Sequence, residues 1–317
     1  MKRINNLFDS ICSIENLMLA DTKARKGKTN SNGVIKHDKD KENNILQLHS
    51  DLINKKFKTS EYSTFKIFEP KERLIYSLPY YPDRIVHHAI MNILEPIFTN
   101  MFTANTFSCI KGRGIHGAAN AVKIALKDKN NTKYCLKLDI KKFYPSINHD
   151  VLKTIIRRKI KDKNLLWLLD EIIDSTDGIP IGNYLSQYFA NLYLTYFDHW
   201  IKESKLVKYY FRYADDMVIF SSNKEYLHKL LDDIRIYIET KLLLEIKDNY
   251  QIFPVEIRGV DFVGYVFYHT HVRLRKSIKK NFARMMKNRR NKHSFASYNG
   301  WVKHCDGKHL MKKLAYV

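Results

Sequence analysis

Acidic residues are in short supply. The 317-residue chain carries 33 Asp and Glu against 55 Lys and Arg, a formal net charge of +22. That excess is beyond what solubility needs. It selects a polyanionic partner, held in a strongly salt-dependent way. Long apolar runs are missing too, and none approaches the length of a membrane-spanning helix. Asp9 and Glu15 interrupt the apolar stretch near the N-terminus, so it does not read as a signal peptide. Cysteine is sparse. Cys12, Cys109, Cys135 and Cys305 are scattered without CxxC spacing, which points to free thiols in a reducing cytoplasm and to no structural zinc. His304, Cys305 and His309 lie in a basic tail and read as contacts to RNA, or to nothing, rather than a metal site. No internal repeat is present.

What is present alternates between helical and strand signals. Residues 1–20 place Ile4, Leu7, Ile11, Ile14, Leu17 and Met18 near helical spacing, which predicts an amphipathic helix. Residues 21–44 are polar and charged. They read as a solvated loop or a basic lid ordered by RNA. A hairpin is expected over 62–78, and helices over about 82–98, 116–127, 149–160, 164–174, 186–203 and 224–242. Short strands are expected near 244–253 and 260–268, and a very basic helical tail from Ser277. Helices mixed with short strands and hairpins, rather than alternating with regular parallel strands, indicate an α+β fold with helices on an antiparallel sheet.

The most specific signal is Tyr213-Ala214-Asp215-Asp216, flanked by Phe211-Arg212 and Met217-Val218-Ile219-Phe220. It predicts a hairpin with carboxylates at its tip. Leu136-Lys137-Leu138-Asp139-Ile140 is a second apolar strand ending in an acid. Asp-Asp in a turn is usually solvated punctuation. Strands that converge Asp139 with Asp215 and Asp216 instead make an oxygen-rich site suited to two Mg²⁺ ions and in-line phosphoryl or nucleotidyl transfer.

These motifs resemble the reverse transcriptases of the bacterial, group II-intron-like lineage, over about residues 62–305. Leu138–Ile147 resembles the first palm block, Tyr213–Asp216 the second, and Phe262-Val263-Gly264-Tyr265 the primer grip. Asp83–Val86 and Gly112–His116 resemble finger blocks. Most of these enzymes carry a Gln-Gly pair after a proline. Here Gly178–Gln187 reads Gly-Ile-Pro-Ile-Gly-Asn-Tyr-Leu-Ser-Gln, which is similar to the reverse transcriptases of diversity-generating retroelements, as are Glu69–Arg73 and the short C-terminus. No maturase, endonuclease or RNase H region is expected after residue 305.

The resemblance implies a right-hand polymerase. Residues 1–60 would form an N-terminal extension, 61–130 mainly fingers, 131–270 mainly palm, and 271–317 a basic helical thumb. It implies copying of a template-repeat RNA into cDNA from dNTPs, with errors directed at adenine, and a small, basic, oligomeric accessory protein. Asp139 and Asp215 would ligate both metals, with Asp216 adjacent and the backbone carbonyl of Ile140 completing the shell. Tyr144 would sit under the incoming sugar and exclude a 2′-OH, with Phe143 in the core. Lys71, Arg73 and Arg113 would hold the triphosphate, and Ile181 and Gln187 would pack under the nascent base pair. Arg273, Arg275, Lys276, Lys280, Arg284 and Lys287 would track the template–primer backbone, while Ile278, Phe282 and Met285 form an apolar stripe. The family's proton-donating lysine aligns with Asn249 or Tyr250, with Lys247 nearby. Two other readings stay open: a retron or phage-defence reverse transcriptase, and a palm kept only as an RNA-binding scaffold.

Overall fold

The computed structural model describes residues 3–68, 72–288 and 291–315. Glu69, Pro70 and the expected phosphate-binding Lys71 lie outside the described residues. The chain divides into two units, each built from separated segments. One comprises Met1–Phe102, Lys142–Tyr196 and Leu242–Leu244; the other comprises Thr103–Lys141, Phe197–Lys241 and Glu245–Val317. No helix among the described residues is long and apolar enough to cross a membrane.

The first unit is mostly helical. The single N-terminal helix expected over 1–20 is instead two, Phe8–Cys12 and Ile14–Ala24. Ser13 separates them: its extended backbone leaves the helical region, and its side chain accepts from the Asn16 N–H as an N-cap. Ile4 forms a parallel bridge to Ile160 rather than a helical turn.

Residues 21–44 are mostly helical rather than one solvated loop, with a largely exposed turn over 25–31. They continue into helices Asn32–Asp38 and Lys41–Ile53, folded around the fully buried Asp21. Arg25 and Lys41 pair with that carboxylate at 2.8 and 2.9 Å, and Tyr80 donates to it at 2.5 Å. Burying a charge is tolerable only with partners of this kind. Strands β1 (Ser63–Ile67) and β2 (Arg73–Ser77) form the expected hairpin, exposed along most of its length. Helices Ile85–Thr99 and Tyr184–Tyr193 supply core residues such as Ile85, Ala89, Leu94, Leu185 and Leu192, all at most 1% exposed.

The second unit holds the main sheet. Strands β3 (Tyr134–Asp139), β4 (Tyr209–Tyr213), β5 (Asp216–Ser221) and β6 (Gln251–Pro254) assemble in the order β4-β5-β3-β6, with antiparallel pairing throughout. Strand alternation assigns the faces. Leu136 and Leu138 of β3 lie opposite Ile219 and Met217 of β5. These four are 1% exposed or less and form one apolar face. Cys135, Lys137 and Asp139 point the other way, opposite Phe220, Val218 and Asp216. That second face is therefore apolar at one end, where Cys135, Phe211, Phe220 and Phe253 share a core, and acidic at the other. Each large apolar side chain so buried contributes about 1.5–3 kcal/mol. Buried Leu227, Leu230, Leu231, Ile234 and Ile238 lie on helix Lys224–Leu242, which has the bounds the sequence predicts.

A smaller sheet of β7 (Val260–Phe262), β8 (Tyr265–Phe267) and β9 (Val272–Leu274) follows, then helices Lys276–Asn288, Lys292–Val302 and Lys308–Ala315. The stripe predicted on the basic tail is real. Phe282 is fully buried, Ile278 and Met285 pack on the same core, and Phe282 stacks on Tyr298 with ring centroids 4.9 Å apart.

Candidate active site

The carboxylates gather at one end of the main sheet. Asp139 closes β3 and lies directly opposite Asp216, the first residue of β5. Tyr213 also pairs with Asp216, so Ala214 and Asp215 form a two-residue hairpin turn. Ala214 takes a left-handed φ of 55° to make it. Register thus brings Asp139 and Asp216 onto one face, and the turn brings Asp215 beside them.

Electrostatics mark the cluster. The Asp215 carboxyl is pushed up to about 7, by burial first and then by the Asp139 carboxylate, with Lys247 opposing. Burial likewise raises Asp216 to about 6, where Lys137 opposes the rise and Asp139 reinforces it. Like charges held together in a partly desolvated site favour protonation until cations neutralise them.

The donor set fits a hard divalent cation. Oδ1 of Asp139 and Oδ1 of Asp216 are buried without a hydrogen-bond partner, and every nearby acidic donor is oxygen. No group of three or more His, Cys, Asp or Glu side chains placed to hold a metal ion by themselves occurs among the described residues. An open, oxygen-only set is what Mg²⁺ uses when it shares its shell with water and substrate phosphates. Ile140 is fully buried and bridges Ile246. The two hydrogen bonds of that bridge belong to its neighbours, Lys247 N–H to Asp139 C=O and Lys141 N–H to Glu245 C=O, each short and well formed at 2.9 and 2.8 Å.

Three cations lie near these acids; the sequence reading missed Lys137, noted Lys247 only beside the aligned lysine position, and placed Arg275 on the nucleic acid. The ammonium of Lys247 lies 2.5 Å from Oδ2 of Asp139. Lys137 lies 3.8 Å from Oδ1 of Asp216 and donates to the backbone carbonyl of Asp261. Arg275, expected on the nucleic acid, pairs instead with Asp261 through Nε at 2.6 Å and Nη2 at 2.5 Å. The signal for Lys137 was available: a lysine alternating with leucines in a buried strand faces the same side as the acid two residues later.

In the other unit, the loop of residues 178–183 packs against two backbones. Gly178 adopts φ 61°, and a Cβ there would lie 2.4 Å from the Pro145 carbonyl oxygen. Gly182 adopts φ 126°, and its Cβ would lie 2.3 Å from the Tyr76 carbonyl oxygen. Only glycine permits both approaches. Hydrogen bonds fix the same contacts: Ile179 N–H donates to Tyr144 C=O at 2.9 Å, and Tyr76 N–H donates to Ile181 C=O at 2.8 Å. The loop, Tyr144 and the β1–β2 hairpin are therefore held together. Phe143 is buried, Tyr144 and Ile181 are half-buried, and Arg73 and Gln187 are exposed.

Arg113 is engaged by its own loop. Its Nη1 donates to the carbonyls of Thr103 and Thr106 at 2.6 and 3.1 Å, tying its own loop together. In the tail, Lys276, Lys280, Arg284 and Lys287 are exposed at spacings that share one helix face, opposite buried Phe282. Exposed Arg273 lies over the Tyr268 ring, 5.3 Å from its centroid. His304 stacks on His116 with centroids 3.8 Å apart.

Comparison with known proteins gives this geometry its context. The YkfC protein of Escherichia coli is 24% identical over 233 residues, which cover 59% of this chain and 61% of that protein. The group II intron-encoded protein LtrA of Lactococcus lactis is 25% identical over 140 residues, 41% of this chain and 23% of that one. The retron Ec73 reverse transcriptase of Escherichia coli is 30% identical over 169 residues, 49% and 52% of the two chains. The chain thus spans less than two thirds of each of these relatives. Among solved structures, telomerase from Candida albicans with a fragment of telomeric RNA superposes with a TM-score of 0.51 at 12% identity, over 76% of this chain and 54% of that one. This likeness gives the fold alone: an α+β fold of the right-hand polymerase type. The family model for reverse transcriptase (RNA-dependent DNA polymerase) matches residues 55–254. With most of the chain inside that match, the protein belongs to the reverse transcriptase family.

Proposed function

We propose that this chain is an RNA-directed DNA polymerase that extends a primer from dNTPs along an RNA template. The observation that carries this reading is the meeting of Asp139, Asp215 and Asp216 across the β3–β5 ladder and its adjoining turn, with buried carboxylate oxygens that lack hydrogen-bond partners. Reverse transcriptases generally use divalent metal ions, typically Mg²⁺. Asp139 and Asp215, with Asp216 adjacent and the Ile140 carbonyl in reserve, are the residues that would hold two such ions. When bound, the metals supply Lewis acidity to the attacking primer oxygen and to the triphosphate.

The remaining residues bind and select. Tyr144 presents its ring to the sugar and excludes a ribose 2′-OH by collision. Arg73, with Lys71, draws the triphosphate toward the hairpin and offsets charge on departing pyrophosphate. Ile181 and Gln187 shape the pocket under the new base pair. Lys276, Lys280, Arg284 and Lys287 hold the phosphate backbone and position the duplex without reading its sequence. In this reading residues 61–130 act mainly as fingers, 131–270 as palm and 271–317 as thumb.

The finer assignment is to a diversity-generating retroelement, supported by the Gly178–Gln187 block in place of a Gln-Gly pair. Its template is then a repeat RNA, its errors fall opposite adenine, and a small basic oligomer assists it. The likeness to a retron reverse transcriptase favours a second reading, a retron or phage-defence reverse transcriptase without that bias. Primer extension with Mg²⁺ on RNA, followed by sequencing of the cDNA, tests both levels. No metal-dependent extension overturns the polymerase. Extension with equal fidelity at all four template bases, partner and RNA supplied, leaves the polymerase and removes the retroelement assignment.

A further inference from the structure

Behind the carboxylates, on the opposite face of the same sheet, lies a buried charged cluster that the polymerase reading does not use. Arg212 pairs with Met217 in the β4–β5 ladder, so its side chain points away from the face shared by Asp139 and Asp216. Its side chain is completely buried, and so is that of Asp198. Nε of Arg212 donates to both oxygens of Asp198 at 2.8 and 3.0 Å, and Nη2 donates to Oδ2 at 2.6 Å. The same carboxylate accepts from the Tyr210 hydroxyl at 2.6 Å and from the Thr106 hydroxyl at 2.9 Å. Both of those residues are at most 1% exposed. A network this dry and this fully engaged holds one geometry.

Nη1 of Arg212 reaches beyond the cluster, to the carbonyl of Ala214 at 2.9 Å. Ala214 is the left-handed residue of the turn and immediately precedes Asp215. A non-glycine residue in that region is retained only where its surroundings over-determine it. The backbone of Arg212 is fixed as well: its N–H donates to Asn105 C=O and its C=O accepts from Phe107 N–H, each at 3.0 Å. Those residues flank Thr106, whose carbonyl accepts from Arg113. A continuous path therefore runs from Arg113 through Thr106, Asp198 and Arg212 to the peptide that carries Asp215.

We propose that Arg212, locked by Asp198, is a positioning residue that fixes the Ala214–Asp215 peptide and so aims the Asp215 carboxylate, and that Arg113 supports the same clasp instead of binding the triphosphate. The inference rests on the polymerase reading. Its chemistry explains why an arginine is required. A guanidinium is planar and permanently charged, and it can grip a carboxylate with one edge while donating to a carbonyl with another nitrogen. Lysine keeps the charge and loses the second grip.

The test compares wild type with Arg212→Lys, Thr106→Val and Arg113→Lys in primer extension. Thermal melting, template–primer affinity, dNTP KM and the Mg²⁺ concentration for half-maximal rate are measured alongside. Arg212→Lys should lower kcat by about 10- to 100-fold, the scale on which a mispositioned catalytic group acts, and should raise the half-maximal Mg²⁺ concentration severalfold. Its dNTP KM and template–primer affinity should stay within about twofold. Thr106→Val, the milder change, should shift kcat and Mg²⁺ dependence in the same direction while remaining folded. Arg113→Lys should leave dNTP KM within about twofold. A folded Arg212→Lys or Thr106→Val enzyme with unchanged kcat and Mg²⁺ dependence overturns the clasp, as does a loss of rate that only follows the loss of folded protein. A tenfold rise in dNTP KM for Arg113→Lys returns that residue to the triphosphate. A wild type that does not extend primers overturns the polymerase reading itself, which separates the two failures.

Discussion

Lys247 holds Asp139 twice. Its ammonium lies 2.5 Å from Oδ2, and its backbone N–H donates to the Asp139 carbonyl at 2.9 Å. One residue thereby fixes both the main chain and the side chain of the acid that ends β3. The other oxygen, Oδ1, stays buried without a hydrogen-bond partner. The carboxylate is thus half satisfied by protein.

Asp139→Asn or Asp215→Asn should reduce the extension rate by on the order of a thousandfold or more. RNA binding should persist, because the basic helix is untouched. The Asp215→Asn protein should also melt a few degrees higher than wild type without metal, since it removes a carboxylate that burial and Asp139 both penalise. Near-normal extension by either variant removes these residues from catalysis.

Tyr144→Ala should raise ribonucleotide incorporation relative to dNTP use. Competition between rNTP and dNTP on one template measures it. Unchanged discrimination makes Tyr144 a packing residue like its neighbour Phe143, which is 3% exposed.

Gly178→Ala should cost at least about 2 kcal/mol, because it combines a left-handed backbone with a clash against the Pro145 carbonyl. The same change should weaken sugar discrimination, as Pro145 follows Tyr144 directly. A melting curve and the rNTP competition check the two halves separately.

Neutralising Lys276, Lys280 and Arg284 together should lower template–primer affinity and reduce its salt slope by about 2 to 3 units. Titrations at several salt concentrations give the slope. No change in slope assigns this exposed face to a protein partner.

Ile181→Asn should alter errors opposite adenine more than opposite the other bases, by a severalfold factor equivalent to about 1 kcal/mol. Sequencing of cDNA made by purified protein settles it. Equal changes at all four bases remove Ile181 from adenine selection.

Short-range patterns made much of this legible. Helix Lys224–Leu242, the β1–β2 hairpin and the carboxylate turn follow from periodicity and turn chemistry, and they lie where the sequence puts them. Residues 21–44 were illegible for a physical reason. Their polarity is the mark of a solvated loop, yet Asp21 becomes a hub once Arg25, Lys41 and Tyr80 surround it. Composition records the charge and not its neighbours. The Arg212 clasp was half legible. An arginine inside an apolar strand demands a buried acid, but only tertiary structure shows that the acid is Asp198, fourteen positions away. Lys137 and Arg275 were visible as cations. Their pairing with Asp216 and Asp261 depends on how β3 meets β7.

The order of segments along the chain has a temporal meaning. Strand β3 lies between β5 and β6, and its Tyr134 pairs with Ser221 on one side and Pro254 on the other. Asp139 is thus synthesised more than a hundred residues before β6. At about 5–20 residues per second, a nascent chain holds that strand with an open edge for roughly 5 to 25 seconds. Its buried leucines are then exposed to whatever else is in reach. Slow, non-local closure of this kind makes the sheet the step at which folding and aggregation compete. The catalytic acids meet only after the chain has returned, with β5, to the strand that carries the first of them.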